Sequence, residues 1–87
     1  MPGKTFVVFK ASPKDPQDSK LLLKELKNLK SAKVKDIKSE PIGFGIEIIK
    51  IGIIVEEKDQ TAIENALNEI KANPLVEEAE IDSMTLL

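Results

Sequence analysis

Carboxylates and lysines are the only side chains in these 87 residues with ionic chemistry to offer, because histidine, cysteine and arginine are all absent. Two groups of acids stand out, Glu56, Glu57 and Asp59 in one place and Glu77, Glu78 and Glu80 in another. Oxygen ligands of this kind hold hard cations, yet neither group has the Asp-rich spacing around a loop glycine that a calcium loop needs. Solvated charge accounts for them better. Without His there is no imidazole base, no His-based zinc site and no Ser-His-Asp triad. Without Cys there is no disulfide, iron–sulfur ligation or thiol chemistry. All 13 basic residues are Lys, which removes the bidentate guanidinium clamp on phosphate or carboxylate. The expectation is a protein that is not an enzyme, with no catalytic residue, metal or cofactor.

The segment Pro41-Ile42-Gly43-Phe44-Gly45 offers a different chemistry, that of recognition. Two glycines flanking one aromatic supply a tight, permissive turn that lifts a large apolar side chain to a tip. Two readings stay open for Phe44: a lid folded back on the core, or a contact for a partner.

The elements that must position this turn follow from periodicity. Thr5 to Ala11 reads as a strand with Val7, Phe9 and Ala11 on one face. Pro13 to Asp18 breaks it, with Asp15 as N-cap, Pro16 at the first helical position and Asp18 in the first turn. Leu22, Leu26 and Leu29 then recur at i, i+4 and i+7, beside Leu21, in an amphipathic helix ending near Ser31. Lys33 to Glu40 is a weaker strand whose apolar residues Val34 and Ile37 are three apart, which suggests a bulge or a twisted edge. The strand after the turn, Ile46 to Val55, puts Ile49, Ile51, Ile53 and Val55 on one apolar face. A second helix begins around Thr61, where Thr61 and Glu64 fit a capping box; Ile63, Ala66, Leu67 and Ile70 line it, and Asn73-Pro74 stops it. The last strand, Leu75 to about Thr85, turns Ala79 and Ile81 one way and Glu78, Glu80 and Asp82 the other.

The order β-α-β-β-α-β predicts an α+β, ferredoxin-like fold, a four-stranded antiparallel sheet with two helices on one face and the other face open. The ferredoxin-like topology makes the first and third strands central, so strand order 4-1-3-2 is expected over 4-1-2-3, and the most apolar strands then lie in the middle. The expected core is Val7, Phe9, Leu22, Leu26, Ile49, Ile51, Ile53, Ile63, Leu67, Ile70 and Ile81. Residues 1–87 form a single domain on this reading. The longest apolar run is far short of the roughly 20 residues of a membrane span, and no signal peptide is evident, so a soluble cytoplasmic protein is expected.

Charge divides along the chain. Residues 1–38 carry ten Lys against four acids, and residues 39–87 carry three Lys against eleven. Facing elements that complement one another account for this, and so does a surface that orients a charged partner. An open sheet brings the RNA-recognition motif to mind, but base stacking needs aromatics on both central strands. The third strand offers Ile48, Lys50 and Gly52 instead, so direct nucleic-acid binding is not expected. A phosphate-cradling enzyme on this fold would need an arginine that is absent. No Lys-Ser/Thr or helix start follows Gly43 and Gly45 to make a phosphate loop.

Taken with that element order, Glu40-Pro41-Ile42-Gly43-Phe44-Gly45-Ile46 resembles the elongation factor 1-beta family in its short archaeal form. Lys10 before a proline-containing turn, Val55-Glu56-Glu57, and the tail from Ile81 through Met84 to Leu87 add to the resemblance, which spans essentially the whole chain. It implies guanine-nucleotide exchange, the promotion of GDP release from elongation factor 1-alpha, the GTPase that delivers aminoacyl-tRNA. That partner would hold the GDP or GTP, and exchange needs only a difference in affinity between its states. The resemblance also implies that Phe44 contacts the GTPase, with Gly43 and Gly45 shaping the turn and Pro41 fixing its approach. The eukaryotic exchange domain carries a penultimate lysine near the magnesium and phosphate site. This chain has Leu86 there and no basic residue among its last sixteen, so cation competition is not implied. Leu86 and Leu87 either seal the sheet end or meet the partner. A regulatory ligand-binding domain, or a structural module adding its open face to an assembly, is the alternative, because fold alone does not choose among them.

Overall fold

The computed structural model describes residues 3–56 and 59–87; Glu57, one of the acids named above, lies outside them. Strand β1 (Lys4–Pro13) leads through a 3₁₀ turn (Pro16–Asp18) into helix α1 (Ser19–Leu26). Strands β2 (Val34–Gly43) and β3 (Ile46–Glu56) form a hairpin, followed by helix α2 (Gln60–Ala72) and strand β4 (Val76–Leu86). The sheet is antiparallel throughout, in the order β2-β3-β1-β4, with the two apolar strands central as expected.

Alternation along the strands separates two faces. Val7, Phe9 and Ala11 of β1 and Ile49, Ile51, Ile53 and Val55 of β3 are buried beneath Leu22 and Leu26 of α1 and Ile63, Ala66 and Ile70 of α2. Leu67 is only half-buried at the margin of this core. Ile81 departs from the expectation: it lies opposite Phe9 on edge strand β4 and remains 39% exposed. The helices cover the central strands and the start of β4, where Val76 is buried, and the rest of β4 from Ile81 onward faces water.

Bulges shape both edges, at Lys35 and Ile42 of β2 and at Glu77 and Asp82 of β4. On β2 the register skips Lys35, between Val34 and Asp36, which explains the spacing of three between Val34 and Ile37. On β4 it skips Asp82, between Ile81 and Ser83, so Met84 returns to the same face as Ile81. Ions on the open face follow the alternation: Lys10 meets Glu80 at 3.2 Å, and Lys50 meets Asp82 at 3.4 Å and Glu40 at 3.1 Å. Phe6 lies on this face with its ring over Gly52; a Cβ at Gly52 would sit 2.5 Å from the ring. Gly52→Val is therefore expected to destabilise the fold by about 1–3 kcal/mol through overpacking, read as a lowered denaturation midpoint.

The helix ends depart from the pattern in the sequence. Asp15 accepts a hydrogen bond from the Gln17 N–H at 2.9 Å, as its N-cap role requires, but opens the 3₁₀ turn. Helix α1 stops at Leu26 instead of near Ser31: the Asn28 N–H donates to the Glu25 carbonyl in a tighter turn, and the residues beyond are held by Glu69 of α2. Its carboxylate accepts the backbone N–H groups of Lys30, at 2.8 Å, and Ser31, at 2.7 Å, together with the Ser31 hydroxyl. Those N–H groups are thereby turned away from helical partners. Helix α2 is capped by Asp59, which accepts from the Ala62 N–H at 3.1 Å, and not by Thr61. Asn73 ends it as expected.

Partial burial pushes the Glu69 carboxyl upward, but the hydrogen bonds from Ser31 and Lys30 outweigh it and hold the group below its ordinary 4.5. A depressed folded value means that this stabilisation is complete above the unfolded value and is lost as pH falls through the folded one. Wild-type melting temperature is expected to fall more steeply than that of Glu69→Gln below about pH 4.5, the two curves converging in acid. Parallel curves would show that the clamp contributes nothing.

Candidate partner-binding site

The pairing of β1 with β3 ends at Ala11 opposite Ile49, whereas β2 and β3 remain paired through Glu40–Ile48, Pro41–Glu47 and Gly43–Ile46. Residues 40–48 therefore continue past the four-stranded sheet as a two-stranded ribbon. From Ile49 to the turn it extends about 13 Å, at roughly 3.3 Å per residue. Pro41 is tolerated because β2 is an edge strand, where a missing ladder N–H costs little.

The turn is a two-residue loop, Phe44-Gly45, between the paired residues Gly43 and Ile46. Its dihedrals, φ +56° at Phe44 and +74° at Gly45, are those of a type I′ turn, whose twist matches that of the flanking strands. Gly43 adds φ +113° before it. A Cβ at Gly43 or Gly45 would meet nothing within 4 Å, so these glycines serve backbone conformation and not close packing. Phe44 has no such licence. A bulky residue at positive φ is disfavoured by about 1–2 kcal/mol, and strain of this kind gathers at functional positions.

Phe44 does not fold back: its side chain is 103% exposed, so the lid reading fails. Exposed Ile42 and Ile46 flank it and extend the apolar tip to three large side chains. Reading the segment as a turn singled out the aromatic alone. The two isoleucines pass as ordinary strand formers, and only their position beyond the sheet reveals them as surface.

Leu86 and Leu87 are each 68% exposed, so they do not seal the sheet end. Leu86 pairs with Thr5, and the Leu87 N–H donates to the Lys4 carbonyl at 2.8 Å. Thr5 also pairs with Val55, at the end of β3 away from the turn. The strand length from Ile46 to Val55 is about 30 Å, in a molecule whose longest dimension is 45 Å. The tip with Pro41, Gly43, Phe44 and Gly45 is one candidate contact, and Leu86-Leu87, with exposed Met84, is a second at the opposite end.

Among the described residues no group of three or more acids is arranged to hold a metal. No helix among them is long and apolar enough to cross a membrane. The open face carries Phe6 as its one aromatic, since Phe9 is buried and Phe44 is at the tip.

Residues 6–87 match the family model of the EF-1 guanine nucleotide exchange domain. The chain is 34% identical over 86 residues to elongation factor 1-beta of Methanosphaerula palustris, covering 97% of this chain and 98% of that protein. It is 37% identical over 87 residues to elongation factor 1-beta of Methanoregula boonei, with 97% and 98% covered. Among solved structures, the C-terminal domain of the MgtC protein from Mycobacterium tuberculosis is similar in fold. Its TM-score is 0.53 at 12% identity, over 99% of this chain and 88% of that one.

Proposed function

Because the chain belongs to the EF-1 guanine nucleotide exchange domain family, we propose that it promotes GDP release from translation elongation factor 1-alpha by binding, without covalent chemistry. The observation that carries this reading is the fully exposed Phe44, held at positive φ on the end of a projecting ribbon. A side chain that buries nothing in its own fold, and sits in a disfavoured conformation, is explained by burial in a partner.

Ile42 and Ile46 widen the tip into an apolar anchor for a pocket on the GTPase, and the strand ends at Leu86-Leu87 supply a second contact. The partner binds the nucleotide; this chain lacks histidine, cysteine and arginine and works through differential affinity. If it binds the nucleotide-free GTPase more tightly than the GDP-loaded one, linkage requires that it weaken GDP binding by the same factor. Titration against both forms of elongation factor 1-alpha tests this. Tighter binding of the nucleotide-free form, by tenfold or more, is the expected result for a coupling of about 1.4 kcal/mol. Equal affinity for the two forms contradicts it, because such a ligand shifts no equilibrium.

A further inference from the structure

The ribbon that carries Phe44 has left the four-stranded sheet, so neighbouring strands do not fix its direction. Two side-chain ties at its base do. On the helix face Ser19, the first residue of α1, donates its hydroxyl to the Glu47 carboxylate at 3.1 Å. On the open face Lys50 holds Glu40 at 3.1 Å. Pro41 and Glu47 are cross-strand partners, three residues in from Phe44 on either side, so the tie at Glu47 holds the ribbon where it leaves the sheet.

Ser19 is 5% exposed, and its buried hydroxyl has Glu47 as its side-chain partner. A hydroxyl–carboxylate hydrogen bond is directional, so lateral motion of the ribbon would break it. Ser19 and Glu47 are 28 residues apart, and this bond joins the projecting ribbon to the helix layer. Helix α1 is anchored in the core by Leu22 and Leu26. Glu47 is thus connected through one hydroxyl to a helix packed on the core.

We propose that Glu47 is a positioning residue: its hydrogen bond from Ser19 holds the β2–β3 ribbon at the inclination that presents Phe44 to the GTPase. The inference rests on the exchange reading for its consequence and on the ribbon geometry for its cause. The two parts fail separately.

The test uses the full chain with Glu47→Ala, Glu47→Gln, Phe44→Ala and the double variant Glu47→Ala with Phe44→Ala. Amide hydrogen exchange, measured without any partner, reads the ribbon directly. In Glu47→Ala the cross-strand amides of residues 42–47 should exchange about fivefold faster or more, with core amides of β1 unchanged. Glu47→Gln keeps an oxygen acceptor for Ser19 and should restore protection. Unchanged ribbon amides in Glu47→Ala would overturn the proposal whatever the partner does. In GDP release from elongation factor 1-alpha, Glu47→Ala should lower stimulation about threefold or more, Glu47→Gln should recover most of it, and the loss should vanish in the Phe44→Ala background. Additive losses, or failure of the Gln variant to rescue, would mean that Glu47 contacts the partner by its charge and does not act through Phe44. If the wild-type chain fails to stimulate release, the exchange reading falls and the aiming role falls with it. The Ser19–Glu47 tie then stands or falls on amide exchange alone.

Discussion

Replacing Phe44 by Asn is expected to make the protein more stable and far less able to stimulate nucleotide exchange. The side chain is fully exposed, so removing it forfeits no core burial. Asn-Gly is the preferred pair for a type I′ turn, and Asn tolerates the left-handed conformation that costs Phe about 1–2 kcal/mol. A gain of about 1 kcal/mol, or roughly 4–8 °C in a domain of this size, is expected. Phe44→Ala keeps a Cβ at the same positive φ and should melt close to wild type. Both variants should lose at least tenfold in stimulated GDP release, because a buried aromatic anchor is commonly worth about 2 kcal/mol or more. Early melting of either variant would show that the ring packs against its own fold.

The largest expected loss of stability lies at Ile51. It is fully buried on a central strand, opposite Phe9 of β1 and Ile37 of β2. Truncation to Ala leaves a cavity walled by strands that do not collapse freely, at a cost of about 2–5 kcal/mol. Domains of this size are typically stable by only 5–15 kcal/mol, so a fall in melting temperature of more than about 10 °C follows. Ile54→Ala, on the half-buried open face, provides the contrast and should cost clearly less. A larger effect at Ile54 would mean that the faces of β3 are assigned the wrong way round.

The faces of β1 and β3 were legible because a period of two is a local property of the chain. The strand order followed from the ferredoxin-like topology that the element order implies, with which the apolarity of β1 and β3 agrees. What the pattern missed depends on groups distant in sequence. Helix α1 continues on paper to Ser31, but it tightens at Asn28, and Glu69, on the other helix, captures the N–H groups of Lys30 and Ser31 beyond it. Asp59 and Thr61 both look like caps, and only the geometry at Ala62 decides for Asp59. Ile81 alternates correctly with Glu80 and yet stays exposed, because an edge position and the bulge at Asp82 are tertiary features.

The candidate site divides in the same way. Two glycines around a phenylalanine announce the turn. The positive φ of Phe44, the ribbon beyond the sheet and the Ser19–Glu47 tie do not appear in the local sequence. Leu86-Leu87 attracts notice as two apolar residues at the end of the chain, but strand direction is what sets them a sheet length from the tip.

The proposed function is promotion of GDP release from elongation factor 1-alpha through the Phe44 tip. It is tested most directly by preloading elongation factor 1-alpha with a fluorescent GDP analogue and chasing with excess unlabelled nucleotide. The release rate is then compared without addition, with the wild-type chain and with Phe44→Asn. A clear acceleration by wild type is expected, rising with its concentration and reduced at least tenfold in the Phe44→Asn variant. Acceleration by both proteins to the same extent would remove the tip from the mechanism, and no acceleration by wild type would contradict the function itself.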